Sequence, residues 1–529
     1  MNVKLPFGFR ISRRRPDHER MSSRPKRRID AVRYDAASTS RHNARHWMYA
    51  TAGDADSVIS PNLTTLRNRA RYEIRNNCNA KGIVETFANE LIGTGPGIQV
   101  NSGDPDYDRA FEEAFTTWSG DGDYLDEPQC DRAGKQCLAD ILRLAASIQI
   151  DECGEGFILM QTDTGQKSRA FRGVYGGGEG VRLKLLVIEP DRVATPLGMI
   201  DGQKGVSGGI VNQGIECDEF GKPLNYYVLK KHPGSNLMGD ILTGIGDYDV
   251  VEARYMIHIA RPDRPGQTRG VPRMTPSLPL WAQLRRFTLA TLGAAETAAN
   301  LSGTLNAASV DGDDDDITYE AMDTVEMERN SLLITPDGTE AKQFKAEHPA
   351  TTYKEFRGQI INEAARPHCM PLNIASGDSS DYNYASGRLD HQSFHKEKAV
   401  LRKWIARHPL RTIVRTWRDE AVLVPGYLPP RKLPDGARRY PRLKVSWLWP
   451  GDEHVDPIKE ARAQEIRLTK SNTTTLAAEY GRQGKDWEAE LTQRAKEQRK
   501  MEELGLSTPV EKTNQKPELG SKANGKQTA

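Results

Sequence analysis

The sequence predicts an α+β subunit, mostly helical and elongated, in which a long helical column stands on a mixed body. Three observations carry this. Apolar residues recur at helical spacing in many separate stretches, and short β-prone runs cluster within residues 134–260. The run Arg261-Pro-Asp-Arg-Pro-Gly-Gln-Thr-Arg-Gly-Val-Pro272 then leads straight into a long helical stretch over 276–301. A rigid elbow of Pro, Gly and Arg before a long amphipathic helix separates a body from a column. With 529 residues the chain exceeds a single hydrophobic core.

Residues 1–50 form a basic arm. They hold 13 Lys/Arg against 4 Asp/Glu, a net of +9, leaving −7 on the other 479 residues within an overall +2. Such an arm contacts nucleic acid or an acidic protein surface, or stays solvated and disordered. Ser60-Pro61 opens the first helix, with Leu63, Leu66, Ala70 and Ile74 on one face. A second runs over 80–92 until Gly93-Thr-Gly-Pro-Gly97, and a third over 107–118 carries Ala110, Phe111, Ala114, Phe115 and Trp118 as its stripe. Another helix follows Gly134. Strands are expected at 157–160, 183–188, 226–229 and 256–259, separated by Gly/Pro/Asp turns.

The column helix at 276–301 sets Leu280, Leu284, Phe287, Thr291, Ala294, Ala295 and Ala298 along its length. Residues 302–350 contain the acidic run Asp311–Asp316 and mixed strand and turn signals. Helical spacing returns with Tyr353, Phe356, Ile360 and Ala364 until Pro367 stops it. A polar loop is expected over 369–384. A helix over 385–407 should end at Pro409, with another over 410–424 and an extended, proline-rich stretch over 425–450. Asp456-Pro457 opens a last helical section to Leu506, and the polar tail 507–529 is expected to be disordered.

No catalytic, cofactor or metal site assembles. Gly205-Val-Ser207-Gly-Gly209 fits the spacing of a nucleophile elbow but lacks the preceding strand and following helix. Gly520-Ser-Lys-Ala-Asn-Gly525-Lys526 resembles a phosphate loop, yet Gln527 replaces the magnesium-binding hydroxyl. Counting twelve from Asp311 reaches Met322 rather than a bidentate Glu, so the acidic run reads as a solvated loop. His391 and His395 stand four residues apart on a helix, but no carboxylate at the Glu-next-to-His spacing accompanies them, so an exposed helix face is expected. None of the six cysteines forms a C-x-x-C pair, so reduced thiols are expected. Neither a secretory signal nor an apolar run of roughly 20 residues is visible, so no membrane contact is expected.

An ordered series of short motifs runs along the chain. It comprises Tyr34-Asp-Ala-Ala37, Arg75-Asn-Asn77 with Ala80, Gly93-Thr-Gly95, Glu189-Pro-Asp-Arg192, Gly214-Ile-Glu with Asp218 and Gly221-Lys-Pro223, and His232-Pro-Gly234. Its densest part is Arg264-Pro-Gly-Gln267 with Arg269-Gly-Val-Pro272. Asn383-Tyr-Ala-Ser386 with Arg388, and Asp456-Pro-Ile-Lys459-Glu460-Ala461, complete it. Together these motifs resemble the lambda-type portal family of tailed bacteriophages, and the resemblance covers residues 34 to 506.

It implies a ring, usually of twelve subunits, at one capsid vertex, through which double-stranded DNA is packaged and ejected. Residues 51–275 would form the wing, 276–301 the first stem helix, 302–350 the clip, and 351–368 the second stem helix. The tunnel loop would be 369–384, the kinked helix and return to the wing 385–455, and the crown 456–506. Asn373, Ser376, Asp378, Ser379, Ser380, Tyr382, Asn383 and Tyr384 would face DNA. No Lys or Arg lies between Arg366 and Arg388, which suits sliding rather than gripping. Arg264, Gln267 and Arg269 would hold the wing–stem junction or a neighbouring subunit.

The implied partners are the large subunit of the terminase, a head–tail connector, and the major capsid or scaffolding protein. The implied location is the virion's portal vertex, with the host cytoplasm during assembly. Two alternatives remain open: a metal-dependent nuclease using Asp311–Asp316, and a monomeric nucleic-acid binder driven by the arm.

Overall fold

A computed structural model describes residues 48, 50, 52–122, 128–162, 180–235, 247–300, 304–307, 339–342, 353–380, 382–433, 435–436, 438–439, 442–451 and 457–506. The chain divides into units Met1–Asp54 and Ala55–Ala529, and every described helix and strand belongs to the second. The basic arm apart from residues 48 and 50, the acidic run 311–316 and the tail 507–529 lie outside the described residues.

Helices α1 (Ala55–Ile59), α2 (Leu63–Asn76) and α3 (Cys78–Leu91) come first. Asn77 is extended, and its side chain accepts the Asn79 and Ala80 amides, so it ends α2 and caps α3. That cap starts α3 two residues before the expected position. Strand β1 (Gly97–Asn101) and α4 (Pro105–Ser119) follow. Phe111, Phe115 and Trp118 of α4 are buried as their spacing predicts. Next, α5 (Leu138–Arg143) passes through a π turn, Leu144–Ile148, into α6 (Gln149–Cys153).

The strands are β2 (Glu155–Thr162), β3 (Leu183–Ile188), β4 (Ile210–Asn212), β5 (Ile215–Cys217), β6 (Pro223–Leu229), β7 (Tyr248–Glu252) and β8 (Met256–Ala260). The four expected strands are β2, β3, β6 and β8. The short β4 and β5 and the largely exposed edge strand β7 carry too little apolar pattern to stand out. All seven pair antiparallel, in sheets ordered β3-β2-β8 and β4-β5-β6-β7. Phe157, Ile188, Val193, Ile215, Tyr226 and Met256 form a small core between them.

The column is α7 (Leu278–Asn300), preceded by a 3-10 turn, Thr275–Ser277. Within 302–350 the described residues form one antiparallel pair, β9 (Thr304–Ala307) with β10 (Thr339–Lys342). The chain returns in α8 (Tyr353–Ala365) and a 3-10 turn, Arg366–His368. Phe287 of α7 stacks on Tyr353 at 5.8 Å and meets Phe356 edge-on at 5.2 Å, joining the column to the first turn of α8.

Two local expectations are corrected. The stretch 369–384 is not all loop, because Leu372–Ser376 form helix α9, with Asn373 and Ala375 buried. Pro409 does not end its helix either. From α10 (Tyr384–Ile405) the chain runs through a π turn, Ala406–Leu410, into α11 (Arg411–Ala421). The wider turn absorbs the amide that Pro409 lacks, while Pro409 and Leu410 are buried.

Strand β11 (Lys444–Leu448) then pairs with β1, far away in sequence. Helices α12 (Pro457–Glu465), α13 (Leu476–Arg482) and α14 (Trp487–Glu503) close the described chain. The main core gathers Phe87, Phe111, Trp118, Trp281, Phe394 and Trp417. No described helix is long and apolar enough to cross a membrane.

Candidate functional site

The elbow is built on a buried carboxylate. Glu155 opens β2 and is wholly buried, flanked by Gly154 and Gly156. Its Oε1 accepts from Arg67 Nη2 of α2 and from Arg269 Nε at 2.7 Å. Its Oε2 lies 2.9 Å from His258 Nε2 of β8 and accepts the Gly270 amide at 3.0 Å. Burial works to raise the Glu155 carboxyl, but the Arg269 and Arg67 guanidinium groups overcome this and hold it far below the usual carboxylate range. A glycine is required at 270, since a Cβ there would sit 2.1 Å from the Gly154 carbonyl oxygen.

Arg269 is fully committed within the subunit. Besides Glu155 it donates to the carbonyls of Val193 (2.7 Å), Gln213 (2.6 Å) and Pro190 (2.9 Å). It therefore does not reach out to a neighbouring subunit; it ties the elbow to both sheets. Arg264-Pro-Gly-Gln267 is a β-turn with Gly266 at φ 79, closed by the Gln267 amide on the Arg264 carbonyl. Gln267 Oε1 accepts the Asp263 amide, and its Nε2 donates to the Arg269 carbonyl, bracing the turn, while Arg264 is exposed.

Other scattered motifs converge here. Asp191 and Glu189 both pair with Arg71, Asp191 also pairs with Arg67, and His232 Nε2 lies 3.6 Å from Asp191. Among the described residues, Glu189, Asp191 and His232 could supply metal ligands within 4.8 Å of one another. Arg71 pairs with both carboxylates and Arg67 with one of them, so a cation there would meet fixed positive charge.

A second buried cluster seats the column. Asp151 of α6 lies 3.1 Å from His368 Nε2, at the end of the returning helix, and 3.6 Å from Arg273, at the start of the column. Arg273 covers the Phe87 ring at 4.6 Å, and His368 meets that ring edge-on at 5.2 Å. Asn77 adds a bond from its Nδ2 to the Trp281 carbonyl, and Arg285 of α7 pairs with Glu73. The lead into the column and the end of the returning helix thus lie against the same buried carboxylate. Sequence reading missed Glu155, Asp151 and His368; an acid between two glycines at the head of an apolar strand was the available signal for Glu155.

The expected DNA-facing residues divide. Asn373 is buried, its Nδ2 2.9 Å from His391 Nε2 of α10, so it faces the subunit interior and is removed from that set. Ser376 Oγ is spent on the Leu372 carbonyl. Asn383 caps α10 by accepting the Ser386 amide, and the Tyr382 amide donates to the Ser379 carbonyl. Asp378, Ser379 and Ser380 are exposed, with Asp378 accepting the Ser380 amide. Tyr384 starts α10, and its side chain lies outside the described residues.

Ser207 sits in a turn before β4 with no helix after it. Its amide and that of Gly209 donate to Glu216, and its hydroxyl accepts from Asn225. His391 and His395 lie 6.1 Å apart between ring centres.

A family model described as phage portal protein, lambda family, matches residues 40–402. A probable portal protein of Halomonas phage phiHAP-1 is 26% identical over 484 residues, spanning 88% of this chain and 86% of that protein. Among solved structures, a chain from the neck of a native GTA particle computed with C12 symmetry is similar at TM-score 0.42 and 14% identity, over 80% of this chain and 93% of its own. A chain from the virion of a native gene transfer agent particle is similar at 0.43 and 14%, over 83% and 98%. The family match runs from before α1 across both sheets, the elbow and the helical column into α10, and this chain belongs to the lambda family of phage portal proteins.

Proposed function

We propose that the chain assembles into a closed ring, a dodecamer, at one capsid vertex and conducts double-stranded DNA during packaging and ejection. Family membership supports the role. In this reading residues 51–275 are the wing, α7 and α8 the stem, 302–350 the clip, 369–384 the tunnel loop, 385–455 the kinked helix with its return to the wing, and 456–506 the crown. The terminase large subunit and the head–tail connector dock in turn at the clip, and the capsid or scaffold holds the ring's rim.

The observation that carries the ring is the helical pair itself. Its base is buried through Trp281, Leu284 and Ile361, while Leu289 and Leu292 of α7 stay 63% and 56% exposed. Closed rings need two different complementary faces on each subunit, and an apolar stem face supplies part of one. The exposed loop residues Asp378, Ser379 and Ser380 offer DNA short polar groups and one repelling charge rather than a grip.

A phage carrying an amber codon in this gene tests the reading. In a non-suppressing host it should give heads without packaged DNA, restored by supplying the chain in trans. Normal DNA-filled heads without the chain would refute it.

A further inference from the structure

Between the kinked helix and the strand that follows it lies a groove of about 1640 Å³. One wall is α10, the π turn and α11; the other is formed by residues 439–451 with Gly481 and Arg482 of α13. Among the described residues, its lining contains Arg, Lys and His but not one Asp or Glu. Arg402 and Lys398 are structural: Arg402 donates to the Leu91, Glu90 and Pro450 carbonyls, and Lys398 pairs with Glu90. Lys403, Arg407, Arg411 and Arg415 are different. They recur every fourth residue, all are exposed, and none has a carboxylate partner among the described residues. Arg439 and Arg442 face them from the opposite wall in the same condition.

The row spans about 18 Å along the helix axis, the length of about five phosphates on one strand of a duplex. Protein partners interleave charge signs, whereas a lining of one sign suits a uniform polyanion. Arginine dominates, and its guanidinium matches phosphate oxygens in pairs. The positive field is felt locally: burial first, and then Arg411 and Arg407, hold the His408 imidazole below its ordinary value.

We propose that this groove is a second DNA-binding surface, taking the sugar–phosphate backbone of double-stranded DNA along the row Lys403, Arg407, Arg411 and Arg415. It rests on the portal reading for the identity of the polyanion. It differs from the tunnel loop in kind, since the loop slides past DNA and the groove holds it.

The test uses the assembled full-length protein and a duplex of about 30 base pairs, with affinity followed from about 50 to 200 mM salt. Two variants are compared with the wild type: Lys403→Gln/Arg407→Gln/Arg411→Gln/Arg415→Gln, and Arg407→Lys/Arg411→Lys/Arg415→Lys. The basic arm contributes equally to all three, so the difference is what is read. Neutralisation should lower the slope of log affinity against log salt by about 3–4 units, and the Lys variant should keep it. Two results would overturn the proposal. The neutralised variant could keep the wild-type slope. Or it could lose its ring while binding DNA as before, which would make the groove a contact between copies. A wild type that forms no ring would count against the portal reading instead, whatever the slopes.

Discussion

Arg269 and Glu155 form an ion pair 2.6 Å apart with side-chain exposures of 3% and 0%, and it joins the elbow to the first strand of the body. Every donor of Arg269 that is placed against an acceptor serves this one subunit, so the pair acts on folding before it acts on assembly. Truncating one partner strands the other charge in the interior. Arg269→Ala should therefore destabilise the subunit by about 3–5 kcal/mol in equilibrium denaturation. Arg269→Lys should recover little, because an ammonium cannot reach a carboxylate and three carbonyls together. A stable Arg269→Ala subunit that only fails to form rings would contradict this assignment.

The same carboxylate sets an acid limit. Glu155 titrates lower in the fold than its ordinary value of 4.5, so its contribution is complete above that pH and is lost progressively as the pH falls below it. Denaturation midpoints should fall steeply below about pH 4.5 in the wild type and less steeply in Glu155→Gln. Parallel curves would remove Glu155 from the account.

Glu112 makes the opposite prediction at the cleft where α4 and β1 face the start of α14. Burial pushes its carboxyl up to about 7, with Asp486, Asp108 and Glu488 adding to the shift against the bond it accepts from the Val100 amide. A raised carboxyl favours the fold at low pH, and that advantage is lost between 4.5 and about 7. Glu112→Gln keeps an acceptor for Val100 and carries no charge. It should melt increasingly above the wild type from about pH 4.5 to 7 and by a constant margin beyond. Equal melting temperatures at about pH 8 would exclude the effect.

Within residues 369–384, buried and exposed polar groups should behave differently. Asn373→Ala leaves the His391 ring without its partner and should cost about 1–3 kcal/mol of stability, with DNA passage unchanged in the rings that form. Asp378→Lys sits in solvent and should leave stability within about 0.5 kcal/mol while slowing packaging. The assignment fails if both variants package at the wild-type rate with wild-type stability.

Leu289→Ser/Leu292→Ser probes the open face of the column. Both positions are exposed in the subunit, so its unfolding should change by less than about 0.5 kcal/mol while ring yield falls. Undiminished ring assembly would place the neighbouring copy elsewhere.

Much of this was legible in the sequence where a repeat of four or two residues met an apolar core: α3, α4, α7 and α8, and strands β2, β3, β6 and β8. What stayed hidden depends on partners distant in sequence. Arg269 stands out within its motif, but Glu155 lies 114 residues earlier and nothing local links the two. Asn373 sits in a stretch whose polar composition reads as loop, and only His391, 18 residues later, accounts for its burial. Pro409 carries a local stop signal that core packing at Leu410 overrides. The cationic groove was invisible for the same reason, since its walls come together only when β11 pairs with β1.

The most direct test of the central claim is negative-stain imaging of the purified full-length chain. The account predicts a closed ring with an axial hole and a native mass that is a whole multiple of 59.0 kDa. A particle of 59.0 kDa at every protein concentration, with no ring in any field, would contradict it.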